Sequence, residues 1–191
     1  MELTFRRAEP CDLDEIALLV DAAIKRMTER RIFQWDDVYP ARDDFARDIR
    51  RRELYAGTIG GKIAVVYALS RESDEQYASG AWQYTGDDYL VLHRLCVSPD
   101  FQNKGVARKT MRHIEEDSAR RGAKAIRLDA FLGNPIALRL YSESGYRTAG
   151  SACWRKGTFV LLEKVLDAEP RRAVCPPLTC PHAASSRPGG G

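Results

Sequence analysis

The spacing of apolar residues divides the first part of the chain into short strands and an amphipathic helix. Residues 3–8 alternate between apolar and polar positions, which is typical of a strand with one solvent-facing side. Over residues 13–30 apolar side chains recur every three or four positions, which predicts a helix with one buried face. Two apolar runs on either side of Gly60 and Gly61 predict a β-hairpin over residues 54–69.

The second half of the domain shows the same strand and helix periodicities, in segments that alternate between strand and helix. The predicted elements are a strand at 90–97, a helix at 106–121, a strand at 125–131, a short helix at 134–145 and a closing hairpin at 146–166. Asn134 fits the cap of the short helix, and Gly145 fits its left-handed end.

Two other segments complete the predicted organisation. Pro40 suits the first turn of a second helix, whereas residues 71–88 predict a long polar connection that contains a strand around Trp82. Helical and strand periods both end at residue 167, and five of the nine prolines follow it. The sequence therefore predicts one domain over residues 1–166 and a disordered tail over 167–191.

Composition limits the classes of protein that fit. Of the 191 residues 44% are hydrophobic, no apolar run approaches the ~20 residues of a membrane span, and the first residues lack the apolar core of a signal peptide. The formal net charge of +3 gives no argument for nucleic acid. Five dispersed cysteines favour free thiols, and Cys175, Cys180 and His182 lack a fourth metal ligand. We expect a cytoplasmic protein with no metal, nucleic-acid or membrane partner.

The junction between the strand at 90–97 and the next helix carries the most chemistry. The strand stops at Pro99, and a polar loop enters the helix through Gly105 and Ala107. A helix start directs unpaired backbone N–H groups and the positive end of the helix dipole at one spot. This arrangement predicts an anion site, above all for phosphate. A glycine near a helix start is weak evidence by itself.

The order of the motifs adds to this evidence. The two runs are Gln102-x-x-Gly105-x-Ala107 and Asn134-x-x-Ala137-x-x-x-Tyr141-x-x-x-Gly145-Tyr146. Together they resemble the GNAT superfamily of acetyl-CoA-dependent N-acetyltransferases, with Ala107 where that family often has a second glycine. The resemblance implies an α/β (α+β) fold whose mixed, mainly antiparallel sheet is splayed after its fourth strand and flanked by about four helices. It also implies acetyl-CoA as cosubstrate.

The resemblance implies where acetyl-CoA would bind. The loop would hold the pyrophosphate, and the backbone of the preceding strand would pair with the pantetheine amides. Nearby cations would add positive charge, although they also fit a solvated helix face. The candidate cofactor-binding residues are Leu95, Cys96, Val97, Gln102, Asn103, Lys104, Gly105, Val106, Ala107, Arg108 and Asn134.

Tyr141 and His93 are the candidate catalytic residues. Family tyrosines in the position of Tyr141 protonate the leaving thiolate, while core packing is the alternative reading of this residue. The ordinary pKa of His93 suits a general base, but a structural histidine, Glu53, Asp87, Asp88 or a water chain stay open. Cys96 as an acetylated nucleophile lacks a visible histidine–carboxylate partner.

The aromatic and acidic loop before Pro40 predicts the pocket for the acceptor. Rings beside carboxylates suit a cationic amine, which makes Trp35, Asp36, Tyr39 and Trp82 the candidate substrate-binding residues. The alternative is that the rings fasten the first two helices to the sheet while the aspartates face water.

These observations lead to one functional hypothesis and its competitors. The chain is expected to transfer acetyl from acetyl-CoA to a primary amine, on a small molecule or a peptide, directly within a ternary complex. A CoA-binding sensor or interaction module without turnover is the alternative, and an acyl-CoA hydrolase is a third. The closing hairpin leaves a homodimer open.

Overall fold

A computed structural model describes residues 2–166. The predicted tail at 167–191 lies outside the described residues, and so do Cys175, Cys180 and His182. The division of the chain at residue 166 therefore stays a prediction. None of the helices between residues 2 and 166 has both the length and the apolar character that a membrane crossing needs.

Seven strands and four α-helices form the described domain, in the order that the apolar pattern predicts. Their bounds are β1 Thr4–Arg7, α1 Leu13–Glu29, α2 Arg42–Arg50, β2 Leu54–Ile59, β3 Lys62–Ser70, β4 Tyr89–Val97, α3 Val106–Arg120, β5 Ala125–Phe131, α4 Pro135–Glu143, β6 Arg147–Trp154 and β7 Gly157–Val165. Short 3₁₀ turns lie at Pro10–Asp12, Glu75–Ser79 and Pro99–Phe101.

The strands form one sheet in the order β1-β2-β3-β4-β5-β7-β6. Every neighbouring pair is antiparallel except β4 and β5, which run parallel. β4 pairs with β5 only from Tyr89 to Leu92, so the last part of β4 leaves its neighbour. The mixed sheet splayed after its fourth strand, with four flanking helices, is confirmed.

A β-bulge lies at the point where the sheet opens. Val66 of β3 faces Cys96, but Ala68 faces His93, so β4 has one extra residue between the two pairs. Arg94, within this stretch, has a φ of 52°, in the left-handed region that few non-glycine residues adopt. Because a bulge bends and twists its strand, the extra residue turns the end of β4 away from β5.

The helices cover the two faces of the sheet. α1 and α2 pack on one face against Leu54, Ala56 and Val66. α3 and α4 pack on the other face, where the alternate residues Tyr55 and Tyr67 lie. This alternation follows from the two-residue period of a strand and buries both faces of the central strands.

The predicted strand around Trp82 is wrong. Residues 80–86 instead run without strand pairing over the sheet, where the Trp82 ring stacks on the Arg127 guanidinium at 4.4 Å. Arg127 is buried and paired with Glu163 at 3.1 Å, and Glu163 also accepts the backbone N–H of Gln83 at 2.7 Å. Buried charge therefore fixes this segment, and an apolar pattern does not reveal such an anchor.

Candidate functional site

Two connected cavities lie where β4 separates from β5. The larger measures about 770 Å³ and the smaller about 420 Å³. They share four lining residues: Gln34, Trp35, Leu95 and Tyr141. A molecule in one cavity would therefore meet a molecule in the other beside Tyr141 and the open edge of β4.

The larger cavity contains the loop and helix start singled out from the sequence. The backbone N–H groups of residues 103–108 have no acceptor among the described residues, and the first amide to pair into α3 is Lys109, with the Gly105 carbonyl at 3.1 Å. Gly105 has a φ of 76° and Asn103 a φ of 59°. Two left-handed residues turn these amides toward the cavity, so the site fits an anionic group.

All but one of the predicted cofactor-binding residues line this cavity. The lining ones are Leu95, Cys96, Val97, Gln102, Asn103, Gly105, Val106, Ala107, Arg108 and Asn134. Lys104 does not line it, because its Nζ donates to the Asp100 carbonyl at 2.8 Å and lies over the Phe101 ring.

Three cations of the larger cavity were missed from the sequence. Arg26 and Arg30 come from the end of α1, and Arg139 comes from α4. In a sequence these residues read as the solvent side of an amphipathic helix, and only the folded sheet, open between β4 and β5, brings the end of α1 and α4 to one cavity. Together with Arg108 they bring four cations to the cavity, where the carboxylate of Glu143 accepts both Arg108 and Arg139.

Asn134 caps α4, as predicted, and also connects two sides of the cleft by a hydrogen bond. Its Oδ1 accepts the Ala137 backbone N–H at 3.1 Å, while its Nδ2 donates to Gln34 Oε1 at 2.9 Å. Gln34 lies in the loop between α1 and α2, so this one side chain joins the two walls of the cleft.

Tyr141 occupies the junction of the cavities. Its side chain is buried, with the ring edge-to-face against Tyr146 at 5.9 Å. Burial, followed by the charge of Asp129, raises the pKa of the Tyr141 phenol above its ordinary value. The phenol therefore stays protonated at neutral pH and can donate a proton.

Cys96 lies in the wall of the larger cavity but is poorly suited to covalent chemistry. It is buried beside Val66 of β3, and burial raises the pKa of its thiol to about 12. Because the thiolate is the nucleophilic form, a thiol with this pKa is unreactive at neutral pH.

His93 lines the smaller cavity from the strand end that leaves β5. Its Nε2 donates to the Glu72 carbonyl at 3.2 Å, which leaves Nδ1 as the atom able to accept a proton. Burial, and then the charge of Arg94, lowers the His93 pKa, so the ring is neutral at pH 7. Asp129 lies in the same cavity and accepts the Tyr77 hydroxyl at 2.8 Å.

The other candidate bases lie elsewhere. Glu53, Asp87 and Asp88 line neither cavity. Asp88 directly precedes β4 at the end that pairs with β5, about 17 Å along the strand from His93. Of the predicted candidates, His93 alone is brought to the cleft.

The predicted acceptor residues divide into two pairs. Trp35 and Tyr39 line the smaller cavity, and Trp35 is at the same time part of the core under α1 and α2. Trp82 lies on Arg127, away from both cavities. Asp36 is also absent from the lining, because Arg155 at 2.8 Å and Lys156 at 3.1 Å occupy its carboxylate. We therefore withdraw Trp82 and Asp36 as direct acceptor contacts.

Arg94 is the acceptor-side residue that sequence reasoning missed. Its Nη2 pairs with Asp48 at 2.6 Å, its Nη1 donates to the Tyr39 hydroxyl at 2.9 Å, and Asp48 is only 2% exposed. An arginine within an apolar strand was the available signal, because a buried arginine needs a buried carboxylate.

The described residues contain no cluster of His, Cys, Asp and Glu able to hold a metal ion. The site consists of an anion-binding helix start, an open strand edge and a tyrosine between two cavities. This combination fits a protein that binds a phosphate-bearing ligand beside a second molecule.

Comparison with known proteins identifies the family. The model of the acetyltransferase (GNAT) family matches residues 26–146, which include β4, α3, β5 and α4. The chain therefore belongs to the GNAT acetyltransferase family, and the resemblance noted in its motifs is confirmed.

A curated relative is the [ribosomal protein bS18]-alanine N-acetyltransferase of Salmonella typhimurium. It is 28% identical over 81 residues, which are 42% of this chain and 55% of the relative. The match thus spans about half the length of the curated relative.

Solved structures share the fold. A GNAT-family acetyltransferase from Streptococcus agalactiae has a TM-score of 0.78 and 24% identity, over 86% of this chain and 96% of its own. The PaiA N-acetyltransferase from Thermoplasma acidophilum, in complex with coenzyme A, has a TM-score of 0.66 and 15% identity, over 86% of this chain and 99% of its own.

Proposed function

We propose that this protein transfers the acetyl group of acetyl-CoA directly to a primary amine within a ternary complex. The position of Tyr141 carries the proposal, because its protonated phenol lies where the two cavities meet. The larger cavity would hold acetyl-CoA, and the smaller one the amine.

The larger cavity fits acetyl-CoA in charge and in shape. The free amides of residues 103–108, with Arg26, Arg30, Arg108 and Arg139 around them, suit a pyrophosphate. Beyond Leu92 the edge of β4 has no partner in β5, so it is free to pair with pantetheine amides. The coenzyme A of the Thermoplasma structure supports the same cosubstrate here.

Bound acetyl-CoA supplies the acetyl group as an activated thioester. The protein must then place the amine against the thioester, accept the amine proton and donate a proton to the sulfur that leaves. His93 Nδ1, directly or through water, is the candidate acceptor of the amine proton. Tyr141 is the candidate donor to the sulfur, since its phenol is protonated at neutral pH and lies where the two cavities meet.

Direct transfer is favoured over an acetylated enzyme. Cys96 is the cysteine in the wall of the cleft, and the raised pKa of its thiol removes the thiolate that attack would need. The nucleophile is then the acceptor amine itself. The Salmonella relative is named for acetylation of an alanine of ribosomal protein bS18, which supports an amine acceptor. A cytoplasmic location and a homodimer stay predictions.

The test combines calorimetry with a thiol-release assay. We expect coenzyme A to bind, and acetyl-CoA to release free thiol only when a primary amine is present. Binding of coenzyme A without amine-dependent release would favour a sensor instead. Release without any amine would favour a hydrolase, and no binding at millimolar coenzyme A would remove the proposal altogether.

A further inference from the structure

We infer that the preferred acceptor carries a carboxylate close to its amine. This inference rests on the proposed function and names the substrate class of the same site. It changes the expectation from the sequence, in which aromatic rings beside carboxylates would receive the cationic amine.

The charged side chains that line the smaller cavity are mainly cationic. Arg47 comes from α2, Arg94 from the bulge of β4, and Arg155 and Lys156 from the turn between β6 and β7. Asp74 and Asp129 are the carboxylates in that lining. Four cations thus converge on the cavity from three different directions of the fold.

The carboxylates that pair with these cations lie outside the lining. Asp44 accepts one nitrogen of Arg47 at 2.7 Å, and Asp48 accepts Arg94. One carboxylate, that of Asp36, serves both Arg155 and Lys156. The cavity lining thus contains the cation of each pair and not the carboxylate that holds it.

Two of the arginines keep donors for a ligand. Arg47 and Arg155 each use a single terminal nitrogen, Nη2, on their aspartates, and each guanidinium has five N–H donors in total. Their side chains are 46% and 54% exposed, so they are accessible from the cavity mouth. A carboxylate is the group that such a planar fork binds in two places.

Of the two carboxylates of the cavity, Asp129 is poorly suited to bind a cationic amine. Asp129 already accepts the Tyr77 hydroxyl, and burial raises the Asp129 pKa, which disfavours its charged form. Asp74 accepts the indole N–H of Trp154 at 3.2 Å.

A positive cavity also suits the chemistry. Nearby cations disfavour an ammonium ion and therefore favour the neutral amine, which is the nucleophilic form. The same cations cannot attract an ammonium, so the attraction must come from another group of the acceptor. A carboxylate near the amine supplies it and holds the amine toward Tyr141.

The carboxylate has two natural sources, and matched acceptor pairs separate them. L-alanine against L-alaninamide tests a free α-carboxylate. The tripeptide amides Ala-Glu-Glu and Ala-Gln-Gln test acidic side chains behind a peptide amine. We expect kcat/KM from thiol release to favour the acid over its neutral partner about tenfold in at least one pair.

The variant Arg47→Gln/Arg155→Gln tests which residues carry this preference. The ratio of acid to neutral kcat/KM should fall to about 3 or less, with the coenzyme A Kd unchanged. Arg42→Gln is the matched control: Arg42 lies on the same helix, pairs with Asp14 at 2.5 Å and lines neither cavity. The control should keep the wild-type ratio.

The outcomes separate this inference from the proposed function. Normal thiol release with no preference for the acid in either pair would overturn the inference alone. A preference that survives in the double variant would do the same. No thiol release with any amine would overturn the proposed function and the inference with it.

Discussion

The two cavities of the cleft are built in different ways. The larger one is formed mostly by two stretches of chain, residues 95–108 from the end of β4 into α3 and residues 134–143 along α4, against the end of α1. The smaller one draws on more elements: residues 92–95 of β4, the turn of the closing hairpin and the loop before α2 contribute several residues each, and α2, β5 and α4 contribute one side chain each. A site made of continuous backbone can be read from a short motif, whereas a site made of scattered side chains depends on the whole fold.

The two cavities also differ in what holds their polar and charged groups in place. In the larger cavity the candidate anion site is backbone N–H groups, which need only the turn at Gly105 to be oriented. In the smaller cavity Arg94, Arg155 and Lys156 are each held by an ion pair with a residue far away in the chain, such as Arg155 with Asp36. Mutations should therefore separate the two sides: backbone changes should affect the cofactor, and ion-pair changes should affect the acceptor.

Removal of Arg94 should have the largest effect. Arg94→Leu leaves Asp48 buried without its cation, which costs about 3–5 kcal/mol of unfolding free energy. Burial raises the pKa of Asp48 and Arg94 lowers it, so removal of Arg94 raises the folded pKa further above the unfolded one, and the variant loses additional stability as pH rises through that folded value. Urea unfolding should therefore show a larger loss at pH 8 than at pH 5.

The control for Arg94 is Arg51→Leu, which breaks an ion pair with Glu72 at the surface. Exposed pairs contribute little, so unfolding should scarcely change. Equal losses of unfolding free energy in the two variants would mean that the buried Arg94–Asp48 pair contributes no more than an exposed pair. The smaller cavity would then not depend on buried ion pairs.

Tyr141→Phe should have the next largest effect, which should be confined to kcat. Loss of a general acid lowers kcat by about 10²-fold or more, whereas the ring that packs on Tyr146 is kept. Coenzyme A affinity by calorimetry should not change. The matched control is Tyr146→Phe, because the Tyr146 hydroxyl is buried without a partner in the described residues and its removal should be harmless.

Gly105→Val tests the cofactor side through the backbone. A β-branched residue at a φ of 76° is strained by about 1–3 kcal/mol, so the loop should shift and the coenzyme A Kd should rise about tenfold. Gly60→Val is the control, since Gly60 has a φ of 58° in the turn between β2 and β3, with open space around it. Both variants should lose a similar free energy of unfolding. An equal loss of coenzyme A affinity in Gly60→Val would contradict the assignment of residues 103–108 as the pyrophosphate site.

The same contrast explains what the sequence could predict. The apolar periods predicted the order of the strands and helices, local chemistry identified the turn at Gly105 and the cap at Asn134, and the resemblance to the GNAT superfamily identified Tyr141. Arg94, Asp129 and Arg155 were missed, since each becomes interpretable only through a partner such as Asp48, Tyr77 or Asp36 far away in the chain. Asp36 was misread for the same reason, because its cations lie more than a hundred residues later.

His93→Gln should give a smaller change, seen in the pH profile. The lowered pKa of His93 keeps the ring neutral down to below pH 6.5, so the wild-type acid limb of kcat/KM should contain a component under that value. Glutamine can still donate to the Glu72 carbonyl but cannot accept a proton in this pH range. That component should therefore vanish, with kcat/KM about tenfold lower.

The control for His93 is His113→Gln. The His113 pKa is also lowered by burial, but its ring stacks on Phe5 at 3.9 Å and lines neither cavity. Its variant should keep the wild-type profile with the same amine. An acid component that persists in His93→Gln would assign proton removal to water instead.

Asp36→Asn should have the smallest effect and should be confined to the acceptor. Asparagine keeps an oxygen for the Val38 and Tyr39 amides that Oδ1 now accepts, but it loses the charge that holds Arg155 and Lys156. Because Arg155, and then Lys156, hold the pKa of Asp36 well below its usual range, the wild-type contact persists at acidic pH. The acceptor KM should rise about two- to fivefold, and less at high salt, since exposed ion pairs are weak and screened.

Asp37→Asn, at the exposed neighbouring position, should leave KM unchanged. A change in the coenzyme A Kd of Asp36→Asn would mean that the two sides of the cleft are coupled through this ion cluster.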